Sequence, residues 1–336
     1  MANILVIGAG VMGTAITIPA IDNGHKATII GTPLDQEYIN KIKEKSYHPK
    51  LDIYLTDTIG KHYNEMTQND CDQSDLIIIG VSSKGMEWFI SFIKKFNVQK
   101  KNFLIVTKGL FVNDKKEFDI FPNKIIKEIN QDIDITAVTG PCKAVELANK
   151  NITNICFINK KLDIAINISK LFKNNYYIIK THDDLVGSEV CAALKNIYAI
   201  ILGYSQIYYF KKQKIFNPES ALFSHCLNEM NLFVSSIGGK SETVFGLSGL
   251  GDLHVTSGTG RNGALGKYLA KNRKYSEIIS NELKDETVEG AEMLLDLESQ
   301  FKNYISKNEF PILSKLLTSI CNDKKLDIPW SNLNIQ

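Results

Sequence analysis

Short apolar runs separated by polar, helix-length segments dominate the first half of the chain. Six runs read as strands: 4–7, 26–30, 75–81 (DLIIIGV), 103–107 (FLIVT), 134–138 and 153–158. Most are nearly continuous in apolar residues rather than alternating, as in strands covered on both faces. The segments 35–45 and 85–96 between them suit helices. This rhythm predicts a Rossmann-like, doubly wound, mainly parallel sheet with helices on both sides. From about residue 186 the texture changes. Long stretches with helical spacing, 186–206, 218–238, 262–272 and 288–306, replace the strands. The pattern predicts an α/β domain over 1–185 followed by an all-α domain over 186–336.

The first run leads into Gly8-Ala9-Gly10-Val11-Met12-Gly13, a full G-x-G-x-x-G. Each glycine has a physical task in a dinucleotide site. Gly8 permits the tight turn out of the strand. Gly10 lacks a Cβ, so backbone can approach a pyrophosphate. Gly13 lets the next helix pack on the sheet. A structural strand–turn–helix with no ligand is the alternative, and the βαβ context favours the nucleotide. The second run ends in Gly31-Thr32-Pro33-Leu34-Asp35. The acidic residue that holds ribose hydroxyls in NAD enzymes, or the arginine of NADP enzymes, is absent from the strand end itself. Asp35 comes a few residues late, within reach if a loop brings it back. The choice between NAD and NADP therefore stays open.

Ligands of such sheets lie at the carboxyl ends of the strands. Ser82, Ser83 and Lys84 follow one run, Lys108 and Gly109 the next, Gly140 and Pro141 another. In the second half, Val190, Leu194, Ile197 and Ile201 form an apolar helical stripe. Lys195 sits amid it, either snorkelling to solvent or held in a cleft. Residues 246–260 carry five glycines in fifteen positions, poor wording for a helix interior and suited to backbone that meets a ligand. Arg261 and Asn262 follow at once. Guanidinium beside exposed N–H groups suits a phosphate monoester, and a flexible surface loop is the alternative.

Composition narrows the classes. The 336 residues carry a formal net charge of +2, with 44% hydrophobic and 23% charged positions. No global field points to nucleic acid, and lysines do not interleave with aromatics as a stacking groove requires. The six cysteines, at 71, 142, 156, 191, 226 and 321, form no C-x-x-C pair, so reduced thiols in a cytoplasmic protein are expected. No acidic cluster has metal-ligand spacing, and no metal is expected. Residues 4–21 read as the start of a fold and not as a secretory leader. The apolar runs read as too short or too interrupted to cross a bilayer.

Several motifs in fixed order carry a resemblance. GAGVMG is followed by TKGL (107–110), GPCKAVELA (140–148), GSEVCAALKNIYAIILG (187–203), GLSGLGDLHVTSGTGRN (246–262) and VEGAEM from Val288. Together they resemble the bacterial-type NAD(P)-dependent glycerol-3-phosphate dehydrogenases over nearly the whole length. The resemblance implies interconversion of dihydroxyacetone phosphate and sn-glycerol 3-phosphate. It implies a cofactor domain followed by a helical substrate domain. By matching position, Lys195 resembles the catalytic lysine and Lys108 a second active-site lysine, with Asp252 beside them as a third catalytic position. Gly8, Gly10, Val11, Met12, Gly13, Lys108, Ala144, Arg261 and Glu289 match cofactor contacts. Lys108, Gly140, Cys142, Lys195, Asp252, Thr256, Arg261 and Asn262 match substrate contacts. The implied partners are NAD or NADP and a small phosphorylated three-carbon substrate, without nucleic acid or membrane insertion. The oligomeric state stays open, a homodimer included.

The chain departs from the family pattern at Cys142 and Lys143, where GPSFA is common, and at Gly260, where serine is common. A lysine of ordinary pKa, about 10.4, donates a proton readily and accepts one poorly near neutrality. A second cation such as Lys108 would ease its deprotonation, and Asp252 would oppose that. Two rivals remain: a ketopantoate-reductase-like enzyme of a small oxo-acid, and a non-catalytic NAD(P)H sensor.

Overall fold

Eight strands form one sheet in the first half: β1 Asn3–Ile7, β2 Lys26–Gly31, β3 Thr58–His62, β4 Leu76–Ile79, β5 Asn102–Ile105, β6 Asp134–Thr139, β7 Thr153–Ile158 and β8 Tyr177–His182. Their spatial order is β3-β2-β1-β4-β5-β6-β7-β8. The computed structural model describes residues 1–208, 215–258, 260–305 and 310–333. Thr259 of the glycine-rich segment and Ser306 at the end of the 288–306 stretch lie outside the described residues.

The pairings are parallel except for β6 with β7, where Val138 faces Phe157 across an antiparallel ladder. Central strands are covered on both faces, and Leu76 to Ile79 of β4 are fully buried. Each such side chain contributes roughly 1.5–3 kcal/mol. The six runs expected from sequence all form strands. The two additional ones, β3 and β8, sit at the sheet edges. Their residues are half covered, so their sequences, TIGKH and YIIKTH, lack a continuous apolar run.

The chain winds outward from β1 to β3 and then returns to β4 on the other side of β1. The topological switch thus falls between β1 and β4. Here a glycine outside the six-residue motif matters. A Cβ on Gly8, whose φ is +112°, would lie 2.6 Å from the carbonyl carbon of Gly80, just past β4. A Cβ on Gly80 would lie 2.8 Å from the Cα of Gly13. Three glycines therefore let the first helical turn, α1 Val11–Ala15, close onto the switch point, and α2 Thr17–Asp22 continues it.

Residues 1–108 and 121–185 form one unit, and residues 109–120 and 186–336 the other. The hairpin Leu110–Val112 with Phe118–Ile120 therefore groups with the second unit. Phe118 packs against Phe233 at 5.2 Å and Phe301 at 4.9 Å between ring centroids. The second unit is built from helices: α3 Leu185–Tyr208, α4 Asn217–Ser236, α5 Asp252–Gly258, α6 Arg261–Leu269, α7 Glu289–Asp296, Glu298–Ile305 and α8 Pro311–Cys321. At 24 residues α3 is, by length and composition, apolar enough to cross a membrane. This corrects, for α3, the expectation that the apolar runs are too short or too interrupted for such a length. The reason is packing, since every residue from 187 to 205 is buried among protein neighbours. Two glycines bring other helices against the α3 backbone. A Cβ on Gly203 would meet the Cα of Gly263 at 2.7 Å, and one on Gly290 the carbonyl carbon of Asn196 at 2.6 Å.

A buried carboxylate joins α4 to α8. Glu229 accepts the N–H groups of Ile312 at 2.7 Å and Leu313 at 3.0 Å, at the start of α8, and the Tyr198 hydroxyl of α3 at 2.9 Å. Burial outweighs these bonds and pushes its pKa from 4.5 up to about 7. A carboxyl raised on folding contributes stability fully below its unfolded pKa and loses it as pH rises through the folded value. Between pH 4.5 and 7 the native state should therefore lose about 3 kcal/mol through this group. Glu229→Gln should flatten the pH dependence of urea unfolding over that window. An unchanged slope would show that Glu229 is not the source.

Candidate functional site

In the first unit the site is the glycine turn. The Gly8 N–H donates to the Ile30 carbonyl at 2.8 Å, tying the turn to β2. Ala9 is held from both sides. Its N–H donates to Asp35 Oδ2 at 3.2 Å, and His48 Nε2 lies 3.0 Å from its carbonyl oxygen. The Leu51 N–H donates to His48 Nδ1 at 3.2 Å, so the imidazole proton is on Nε2 and is donated to Ala9. Burial lowers the His48 pKa, consistent with a neutral ring. Gly10 faces open space. Its missing Cβ would have only the Gly80 carbonyl oxygen for a neighbour, at 4.0 Å. A close-packed turn with one open glycine suits a dinucleotide pyrophosphate.

The neighbouring candidates gather on the same unit. Val11, Met12, Cys142 and Ala144 pack on one apolar cluster. Gly140 takes a φ of +110° straight after β6. Cys142 adjoins the buried Tyr177, whose hydroxyl pKa is raised by burial and by this thiol. Lys143 pairs with Glu146 at 3.3 Å on the surface, which accounts for a charge where an apolar residue is common. Thr107 donates to the Val81 carbonyl at 2.6 Å and fixes the end of β5, from which half-buried Lys108 emerges.

In the second unit Lys195 is held rather than snorkelling. It is 6% exposed and forms a buried ion pair with Asp252. The glycine-rich stretch is not an open loop. Leu247–Gly251 forms a wide π-helical turn that runs into α5, which begins at Asp252. Thr256, one turn on, donates its hydroxyl to the Asp252 carbonyl at 2.6 Å. Gly260 has a φ of +115°, a conformation strained for serine, and introduces α6. Arg261 is half exposed, with Nη1 3.6 Å from Glu286.

Asn262 is buried and bridges helices. Its Nδ2 donates to Asn196 Oδ1 at 3.1 Å, and its Oδ1 accepts the Gly290 N–H at 2.9 Å. Asn196 in turn donates to Glu289 at 2.9 Å. The second Nδ2 hydrogen of Asn262 is not used in these bonds. Asn196, Gly80 and Glu286 take part in this architecture without having been singled out in the sequence. Asn196 had a signal in its place directly after Lys195; Gly80 and Glu286 had none.

Family models for NAD-dependent glycerol-3-phosphate dehydrogenases match both halves, the N-terminal model over residues 3–165 and the C-terminal model over 184–328. A Phytoplasma australiense relative, named glycerol-3-phosphate dehydrogenase [NAD(P)+], is 31% identical over 301 residues, covering 87% of this chain and 86% of the relative. The chain belongs to this family. An Archaeoglobus fulgidus member named as NADP(+)-dependent is 29% identical over 277 residues, 82% of each chain. The solved glycerol-3-phosphate dehydrogenase of Coxiella burnetii shares the fold, with a TM-score of 0.79 at 22% identity over 99% of this chain and 97% of that one. The family is one of NAD(P)-dependent oxidoreductases, and among the described residues no cluster of His, Cys, Asp or Glu could hold a metal ion.

Removing one member of a buried ion pair leaves the other charge uncompensated, at a cost of about 3–5 kcal/mol. Asp252→Ala should therefore destabilise the chain by that order in urea unfolding. Adding Lys195→Met to it should recover much of the loss. Simple additivity of the two changes would argue against the pairing.

Proposed function

We propose that this chain interconverts dihydroxyacetone phosphate and sn-glycerol 3-phosphate with a nicotinamide cofactor. The observation that carries the reading is a buried lysine paired with a carboxylate, in a unit that also presents an arginine and an asparagine with a spare N–H. Residues 1–185 serve as the cofactor domain and 186–336 as the substrate domain, with the hairpin of 109–120 associated with the latter. A cytoplasmic location fits six cysteines with no C-x-x-C pair among them.

In the first unit Gly8, Gly10, Val11, Met12, Gly13 and Ala144 would hold the dinucleotide, with Lys108 as a further contact. When bound, NAD(P)H supplies the hydride that reaches the substrate carbonyl carbon. Lys195 Nζ gives a proton to the carbonyl oxygen, which becomes the new hydroxyl. In the reverse direction the same nitrogen takes that proton back. Asp252 holds the ammonium in place and balances its charge. Thr256 lies one turn further along the same helix, on the side of Asp252. In the second unit Arg261 binds phosphate oxygens bidentately and Asn262 donates its remaining N–H.

Two variants test this. In the fraction that stays folded, Lys195→Ala should lower kcat by roughly 100-fold or more, as for loss of a general acid/base. Turnover near the wild-type rate would remove Lys195 from the role. Arg261→Ala should mainly raise KM for dihydroxyacetone phosphate, with a smaller change in cofactor titration. An unaltered KM would refute the phosphate assignment. A parallel assay with ketopantoate distinguishes the oxo-acid reductase, and cofactor binding without turnover on either substrate would indicate a sensor.

A further inference from the structure

We propose that Asp35 makes this chain select NADH over NADPH by holding an anionic carboxylate in the ribose pocket beside the glycine turn. The inference rests on the cofactor part of the dehydrogenase reading and decides what that reading leaves open. In a doubly wound sheet the adenosine ribose lies past the end of the second strand, next to the glycine turn. Strand β2 ends at Gly31, and the residue after it, Thr32, can neither accept both ribose hydroxyls nor neutralise a phosphate. The chain then folds back. The Asp35 N–H donates to the Thr32 carbonyl at 3.0 Å, and Asp35 Oδ2 receives the Thr32 N–H at 2.9 Å and the Thr32 hydroxyl at 2.7 Å. The same oxygen receives the Ala9 N–H at 3.2 Å. The late carboxylate is thereby returned to the glycine turn, and its position is fixed by three donors.

All three of these bonds fall on Oδ2, while Oδ1 takes none of them. A ribose 2′-hydroxyl can donate to such an oxygen. A 2′-phosphate cannot, and it brings about two negative charges against the carboxylate. Compensation in the vicinity would have to come from His48 or Lys50. His48 is buried, and its pKa is lowered. The Lys50 ammonium lies 5.9 Å from the Tyr38 ring centroid, over its face. The chain has two arginines, Arg261 and Arg273, and both belong to the second unit. The first unit therefore has no guanidinium to grip a 2′-phosphate bidentately.

The test is a binding titration, read by coenzyme fluorescence and independent of turnover. Wild-type protein should bind NADH at least ten-fold more tightly than NADPH. ADP-ribose should compete at least ten-fold better than its 2′-phosphate, which isolates the adenosine end. Asp35→Asn keeps an acceptor oxygen for Ala9 and Thr32 while removing the charge. It should narrow the preference five-fold or more, mainly by tightening NADPH. Asp35→Glu, which keeps the charge, should stay on the NADH side. Equal or tighter NADPH binding by the wild type would overturn the proposal, and loss of that binding in Lys50→Met would name Lys50 as the phosphate ligand. A ratio unchanged within two-fold in folded Asp35→Asn would also overturn it. Preferential NADH binding without reduction of dihydroxyacetone phosphate would sink the reaction and leave this inference standing. Turnover that favours NADPH would do the opposite.

Discussion

The second unit depends on burying a helix that is not purely apolar. Residues 187 to 205 of α3 are enclosed, yet they include Lys195, Asn196 and Tyr198. An unpaired ammonium or amide at such depth costs several kcal/mol. These three polar groups take partners from different helices. Lys195 takes Asp252 of α5, Asn196 takes Asn262 of α6 and Glu289 of α7, and Tyr198 takes Glu229 of α4. Three side chains within one turn thus specify where four helices stand. Apolar burial alone would leave their rotation about α3 weakly fixed, because Leu and Ile surfaces tolerate sliding better than hydrogen bonds do.

The same economy operates at the glycine turn, through backbone instead of side chains. Ala9 has its N–H committed to Asp35 and its carbonyl to His48, and Gly8 is locked against Gly80. A turn restrained in this way loses little freedom when a pyrophosphate arrives, so less of the binding free energy is spent on ordering it. His48 is a structural residue here. Its two ring nitrogens are occupied by Leu51 and Ala9, and burial keeps it uncharged.

How much of this was legible follows from where the information sits. Strands buried on both faces declare themselves as apolar runs, and the six central ones were readable. Edge strands β3 and β8 were not, because half of each strand faces water and its sequence resembles a loop. The glycine motif was readable because its three glycines fall within six residues. Gly80, which completes the packing, lies 67 residues beyond Gly13 and has no local signature. Asp35 was visible as a late carboxylate, but its return to Ala9 depends on the Thr32 turn. The buried Lys195 reads from spacing as either exposed or enclosed, and only the presence of Asp252 in three dimensions decides between them. The Gly246–Gly260 stretch misled for a physical reason. Its glycines permit close packing, as where a Cβ on Gly249 would run into Val244 backbone, and so Leu247–Gly251 forms a closely packed π-helical turn in place of an open loop.

The departures from the family wording bear unequally on the proposed chemistry. Lys143 meets Glu146 at the surface, so its charge stays out of the apolar cluster. Gly260 is different. Its φ of +115° suits glycine, and no hydroxyl exists there to help hold a phosphate. On the proposed reading the load shifts to Arg261 and to the spare N–H of Asn262. Asn262 is immobilised by Asn196 and Gly290, so its contribution is preorganised. Arg261 is not, since it is half exposed and lies 3.6 Å from Glu286. A pair so exposed is worth at most about 1 kcal/mol. A phosphate dianion, with more charge and a geometry that matches the guanidinium fork, displaces such a carboxylate readily. On the proposed reading Glu286 is therefore a weak competitor for Arg261 and costs little in substrate capture.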